Sequence, residues 1–272
     1  MADDQNSEIG YLVFDIESVP DARLIKSVKY PAEELDDDQA IAKLQGEILD
    51  TTEGKTNFIP VTFQLPICLA VAKVDENFCL KELVSLDEGK FRPEEIARKF
   101  WYGVEVLYKK ASLVTFNGRG FDVPLLELMA YRYGISIERH LVDKFGTRYR
   151  FGNRHLDLQE YLSNYMAIKM AGGLNLLAKV LGKPGKTDTS GDEVYSLYQK
   201  NEMQRINTYC IHDVLDTYFI FLRTRLLLGK ISADEEKRIT EMAFATLRKD
   251  ELHREAAELY FSHIDPSFEP WP

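Results

Sequence analysis

The sequence predicts an α/β fold, a mixed five-stranded sheet flanked by helices. Three observations carry that expectation. Short β-branched, apolar runs cluster in the first half of the chain, helical periodicity dominates the second half, and the two alternate in between. The chain has 272 residues, 45% of them hydrophobic and 29% charged. Its mean hydropathy is -0.27. This is enough for one large domain, or for one domain with an appendage.

Residues 11–19, YLVFDIESV, read as the first strand, because β-branched and aromatic residues suit a pleated, buried surface. Residues 21–58 are polar and acidic, with a helical stretch near 32–49 and a turn in TTEGKTN. Residues 65–74 (LPICLAVAKV) and 79–86 (CLKELVSL) read as two more strands around the turn DEN, completing an antiparallel meander. Residues 92–110 carry a helical apolar rhythm with Pro93 near its start. Residues 111–117, ASLVTFN, form the fourth strand, and 122–134 a helix that stops at Gly134. The segment RHLDLQEYL, 154–162, reads as a short strand turning into a helix.

Later helices are expected over 173–182, closed by Gly182, and over 192–200, 202–228 and 232–262, with DPSFEPWP as a tail. No repeat and no Gly-, Pro- or Ser-rich linker divides the chain. The expected organisation is a core domain over 8–228 and a C-terminal helical extension over 229–272 packed on it.

No apolar stretch approaches the ~20 residues that a bilayer span needs. The acidic start MADDQNSEIG lacks the charged-then-apolar layout of a secretory signal. Cys68, Cys79 and Cys210 are widely spaced with no C-x-x-C pair, which argues against a disulfide framework or a zinc site. The expectation is a soluble, cytoplasmic protein. A formal net charge of -10 argues against general attraction to nucleic acid, but the charge is unevenly spread. Residues 1–60 hold fourteen acids against five bases, whereas Arg132, Arg139, Lys144, Arg148, Arg150 and Arg154 face only Glu138 and Asp143. That basic strip, with His140 and His155 beside it, is compatible with a nucleic-acid enzyme; plain solvated surface is the other reading.

Asp15 and Glu17 close the first strand in FDIES. Residues i and i+2 project to one face of a strand. Two like charges at the end of a buried strand repel each other and resist desolvation, so a cation or a route to water has to relieve them. Asp122 follows the fourth strand in FNGRGFDVP. Alone it reads as a helix N-cap with Pro124 in the first turn, a role that leaves one carboxylate oxygen for a cation. Tyr209 and Asp213 in YCIHDVLDTY are i and i+4 and share a helical face. Alone they read as a half-buried tyrosine and a solvated aspartate, although Ile206, Val214 and Phe219 indicate that this helix packs. His155 and Asp157 share a strand face; a surface hydrogen-bonded pair is the simpler reading, with Asp157 an outer candidate.

In this order the pieces resemble the DEDDy 3′–5′ exonucleases, the proofreading class of family B DNA polymerases. FDIES is similar to their first motif, FNGRGFDVPLL to their second and YCIHDV, a Y-x-x-x-D, to their third. The resemblance is closer to stand-alone proteins related to that polymerase domain, in which a stretch similar to LAKVLGKPGKTDTSGDEV also precedes the third motif. It covers roughly residues 10–225. The sister DEDDh enzymes place histidine five residues before the last aspartate, where this chain has Thr208.

The resemblance implies a ribonuclease H-like fold and a hydrolase that releases nucleoside 5′-monophosphates from the 3′ end of single-stranded nucleic acid, DNA favoured. Asp15, Glu17, Asp122 and Asp213 would hold two divalent ions; hard carboxylate oxygens suit Mg²⁺ or Mn²⁺, and no Cys/His set competes for zinc. Tyr209 would orient the attacking water. Asn117 and Phe121 would hold the terminal nucleotide, the backbone near Ser18 its sugar, and Lys183 and Lys186 substrate phosphates. An RNA-trimming exonuclease with the same residues and a non-catalytic nucleic-acid-binding module remain as alternatives. Oligomeric state is left open.

Overall fold

The computed structural model describes residues 9–142, 146–186, 191–265 and 268. Expectations for the acidic start, for Asp143 and Lys144, for residues 187–190 and for most of the tail lie outside the described residues. The five strands are β1 (Ile9–Pro20), β2 (Gln64–Asp75), β3 (Leu80–Ser85), β4 (Ser112–Thr115) and β5 (His155–Asp157). They form one mixed sheet in the order β3-β2-β1-β4-β5. β1 pairs antiparallel with β2 and parallel with β4. β3 adds antiparallel to β2, and β5 parallel to β4. The mixed five-stranded sheet expected from the sequence is the one observed.

Alternation along the strands separates two cores. Leu12, Phe14, Ile16, Leu69 and Val71 face helices α3 (Pro93–Tyr102) and α4 (Asp122–Tyr133). Trp101 is fully buried there, and its indole N–H donates to the Leu126 carbonyl at 3.0 Å, so the large ring enters the core with its polar atom satisfied. On the opposite face Val13, Cys68, Ala70 and Ala72 meet the 25-residue helix α9 (Met203–Leu227). Tyr218 and Phe221 on that helix are each fully buried in the same core as Ala70 and Ala72. Burying a side chain of that size contributes about 1.5–3 kcal/mol.

α6 (Leu158–Leu162), α7 (Gly173–Val180) and α8 (Val194–Gln199) join the α9-side core, and α5 (Glu138–Val142) packs beside the segment after α3. α10 (Ala233–Lys249) and α11 (Arg254–Ser262) add Ala243, Leu247, Ala257 and Tyr260 to the α9-side core.

Several boundaries differ from expectation for local reasons. A helix over 232–262 is instead two, because the Asp250 carboxylate accepts from the Leu252 and His253 N–H groups and turns the chain between them. The helix expected over 92–110 keeps α-form only to Tyr102; from Gly103 one π-turn spans Gly103–Leu107. The acidic segment holds two helices, α1 (Ala22–Lys29) and α2 (Asp37–Thr51). Asp21 caps the first, and a capping box of Asp36 and Gln39 starts the second five residues later than expected.

Candidate active site

β1 and β4 pair only as far as Val13 with Val114. Beyond that point β4 ends and the chain turns into α4, which leaves the β4-facing edge of β1 open from Phe14 onward. Asp15 and Glu17 sit on this open stretch, on the α9 side of the sheet with Tyr11 and Val13. Asp122 returns to the same place: backbone N–H groups of Asp122 itself and of Ile16 bond to its carboxylate. It is the first residue of α4 rather than its cap, so the N-cap expectation is corrected. Across the sheet edge, α9 presents Tyr209 and Asp213, whose side chains are hydrogen-bonded to each other. The structure therefore brings Asp15, Glu17, Asp122, Tyr209 and Asp213 together.

The turn before α4 is tightly determined. A Cβ on Gly118 would lie 2.4 Å from Thr115, so no other residue fits without displacing β4. Asn117 adopts a left-handed φ of 65°. Asp157 fixes this turn: its two oxygens accept from the N–H of Asn117 at 3.0 Å and of Arg119 at 2.9 Å. It also caps α6 through Gln159 and Glu160. The surface pair expected for His155 and Asp157 is corrected. Both are buried, and His155 bonds Thr115 at 2.8 Å.

The electrostatics are those of acids without enough countercharge. Burial pushes the Asp15 carboxyl well above its ordinary range, and the charges of Asp122, Glu17 and Asp213 push it further. Glu17 rises for the same reasons, burial first and then Asp213, with Lys186 opposing. Burial raises Asp122 to about 7 against its two backbone hydrogen bonds. Asp213 rises to about 6 by burial, opposed by the Tyr209 hydroxyl and Lys186. Burial and the surrounding carboxylates hold the Tyr209 phenol well above its usual range, so it keeps its proton at neutral pH.

The expected substrate contacts separate. Asn117 is exposed in the turn before α4, and Phe121 packs its ring 5.8 Å from the exposed Phe58, an aromatic neighbour the sequence did not reveal. The Ser18 hydroxyl donates to Gln64 at 3.3 Å. Lys186 is exposed and acts on Glu17 and Asp213. Lys183 does not join it. Its ammonium lies 4.5 Å over the Phe219 ring and 5.1 Å over Phe244, a packing position that corrects its assignment to substrate phosphates.

The basic strip is also largely engaged elsewhere. Arg132 pairs with Asp21, Arg148 with Glu127 and Arg150 with Glu160. Arg139 and Arg154 donate to the Lys109 carbonyl. His212 faces away from the acids and bonds the Ala256 carbonyl at 2.8 Å, as its helical position required.

Sequence reasoning missed Cys210. Its thiol and one oxygen each of Asp15 and Glu17 all lie within 4.8 Å of one another. The available signal was its place between Tyr209 and Asp213.

A family model described as a predicted 3′–5′ exonuclease related to the exonuclease domain of PolB matches residues 56–264. Asp122, Tyr209 and Asp213 fall inside that span; Asp15 and Glu17 precede it. A family B DNA polymerase from the hyperthermophilic archaeon Pyrobaculum calidifontis superposes with a TM-score of 0.50 at 15% identity, over 88% of this chain and 29% of the polymerase. The chain thus spans less than a third of that polymerase, and the likeness shows the fold alone, consistent with a ribonuclease H-like exonuclease fold. No curated protein matches the chain. Among the described residues no helix is long and apolar enough to cross a membrane.

Proposed function

The chain belongs to the family of predicted 3′–5′ exonucleases related to the exonuclease domain of PolB, and on that premise we propose that it hydrolyses single-stranded nucleic acid from its 3′ end, with DNA preferred over RNA. The observation that carries this reading is the convergence of four buried or half-buried carboxylates, all held above the ordinary carboxylate range by burial, with neighbouring acids adding to the rise of Asp15, Glu17 and Asp122. Buried acids in this state are costly as a structural device and suited to holding cations.

The donor set fits hard divalent ions, because four carboxylates supply oxygen ligands. Asp15, Glu17, Asp122 and Asp213 would hold two ions of the Mg²⁺ or Mn²⁺ class, which when bound polarise a phosphate, acidify water and stabilise a leaving oxygen. The remaining work belongs to the chain itself. Tyr209 keeps its proton, which it donates to Asp213, and therefore orients water through the lone pairs of its hydroxyl oxygen, not as a base. Asn117 and the Phe58–Phe121 ring pair form an exposed rim against which the terminal nucleotide stacks. The backbone near Ser18 contacts its sugar, and Lys186 faces the phosphate. The products are nucleoside 5′-monophosphates.

We read residues 8–228 as the exonuclease domain and 229–272 as an extension packed on it. The hydrogen bonds from His212 to Ala256 and from Tyr260 to Asp216 support that packing. A cytoplasmic setting fits the three free, buried thiols.

The test follows a 5′-labelled single strand, as DNA and as RNA, with Mg²⁺, Mn²⁺ or chelator. Metal-dependent shortening from the 3′ end is the expected result, faster on DNA. Nucleic-acid binding that survives chelation, with no shortening in either metal, would instead identify a binding module.

A further inference from the structure

We infer that Glu88 and His253 hold one divalent cation of the Zn²⁺ class between the sheet and the C-terminal helices, apart from the four-acid site and independent of the hydrolysis proposed above. Glu88 lies in the turn between β3 and α3, and His253 in the turn between α10 and α11. Glu88 Oε2 and His253 Nε2 face each other at 3.4 Å. Both atoms are buried, and neither has a hydrogen-bond partner among the described residues. The His253 side chain is only 2% exposed. Two buried polar atoms left in that condition call for a partner between them.

The other polar atom of each residue is already fixed by a neighbour. His253 Nδ1 lies 2.7 Å from Asp250 Oδ2. An ionised carboxylate only accepts, so Nδ1 carries the proton, and Nε2 of the neutral ring presents its lone pair to Glu88. Glu88 Oε1 accepts from Asn207 Nδ2 at 3.1 Å. The Asn207 amide cannot turn over, because its Oδ1 accepts from Cys68 and Ser85. Asp250 and Asn207 thus orient the two ligands from behind, as outer hydrogen bonds do at metal centres. A proton on Nε2 would draw the pair into a charge-assisted hydrogen bond of about 2.7–2.9 Å. Zinc bonds of about 2.0–2.2 Å to nitrogen and oxygen instead put two ligand atoms ~3.4 Å apart at the tetrahedral angle. The observed spacing is the second. Imidazole beside carboxylate suits Zn²⁺ better than Mg²⁺ or Ca²⁺. Water from a cavity of about 530 Å³, lined by His253, Asn207, Gln204 and Glu255, completes the coordination.

The experiment measures Zn²⁺ binding to the full chain by equilibrium dialysis in excess Mg²⁺. It also follows the five imidazoles by long-range ¹H–¹⁵N spectra through the titration. Wild type, His253→Gln and Glu88→Gln all keep the four acids, so zinc bound there is common to the three, and the difference between them reports the new site alone. Each variant is expected to bind one zinc fewer than the wild type. Where a variant does not melt cooperatively, the wild-type spectrum decides, and Zn²⁺ is expected to shift the His253 Nε2 resonance. Equal zinc binding in the wild type and both folded variants overturns the inference. So does a His253 Nε2 that zinc leaves unmoved, or one that carries a proton throughout the titration at pH 8, which would leave a plain ion pair.

Discussion

Two groups of buried acids in this molecule are solved in opposite ways. Asp87, between β3 and α3, is 7% exposed and fully partnered. Arg92 bonds it through Nε and Nη2 at 2.9 Å, and Lys99 through Nζ at 2.7 Å. The Arg92 hydrogen bonds, with Lys99 behind them, hold its carboxyl well below the usual range against the effect of burial. Glu17 and Asp122 are buried to a similar degree, Asp15 and Asp213 are half-buried, and all four are displaced the other way. Exposure alone does not distinguish Asp87 from Glu17 and Asp122. The difference lies in what faces the acid, arginine and lysine in one case and more carboxylates in the other.

The comparison breaks first at the four-acid site. Asp213→Ala removes one carboxylate of a group proposed to act as a unit. It is expected to lower the rate of 3′-end shortening on the order of 10³-fold, or about 4 kcal/mol of barrier. A variant that still shortens the strand at near wild-type rate would disconnect the acids from catalysis.

The second effect is on stability. Without a divalent ion, Asp122 near 7 and Asp213 near 6 lie above the ~3.9 of an unfolded chain, so the native state binds more protons over that interval. The contribution of these two acids is then largest below pH ~4 and is lost as pH rises through about 7; Asp213 alone accounts for ~3 kcal/mol. Melting in chelator is expected to fall from pH 5 to pH 8, and Mg²⁺ or Mn²⁺ to restore more at pH 8 than at pH 5. A melting temperature indifferent to pH and metal would mean that the acids are relieved by something else.

Asp87→Asn sharpens the contrast from the other side. It removes charge from a carboxylate that two cations already satisfy, so about 2 kcal/mol of stability is expected to disappear. The recovery on adding divalent ion should match the wild type, because Asp87 lies outside the acidic cluster. A changed response to metal would show that the two groups are not independent.

These contrasts were only partly legible in the sequence. Asp15 with Glu17 and Tyr209 with Asp213 were readable because strand and helix periodicity fix which residues share a face. The sheet followed from the same logic. Relations between distant segments were not readable. Cys68 and Cys210 are 142 positions apart and meet only because β2 and α9 pack. The basic strip looked available for nucleic acid until Asp21, Glu127 and Glu160 arrived from other elements to pair with it. Lys183 and Lys186 are three residues apart, yet the turn at Gly185, with φ of 58°, leaves one over aromatic rings and the other beside the acids. A loop sequence carries no signal that would separate them.

Tyr209→Phe tests the finest part of the contrast, the difference between an acid site and a catalytic one. The hydroxyl is hydrogen-bonded to Asp213, and the charges around it keep it protonated. Removing it deletes one donor and leaves every carboxylate in place. The divalent-ion recovery of melting should therefore persist in the variant. The turnover rate should fall about tenfold, the ~1.4 kcal/mol of one oriented hydrogen bond, with little change in KM. Because Tyr209 keeps its proton and is not a base, the pH–rate profile of the variant should keep the wild-type shape at lower height. A profile that instead loses a limb would assign Tyr209 a proton-transfer role, and a lost metal response would place the tyrosine among the groups that hold the ions.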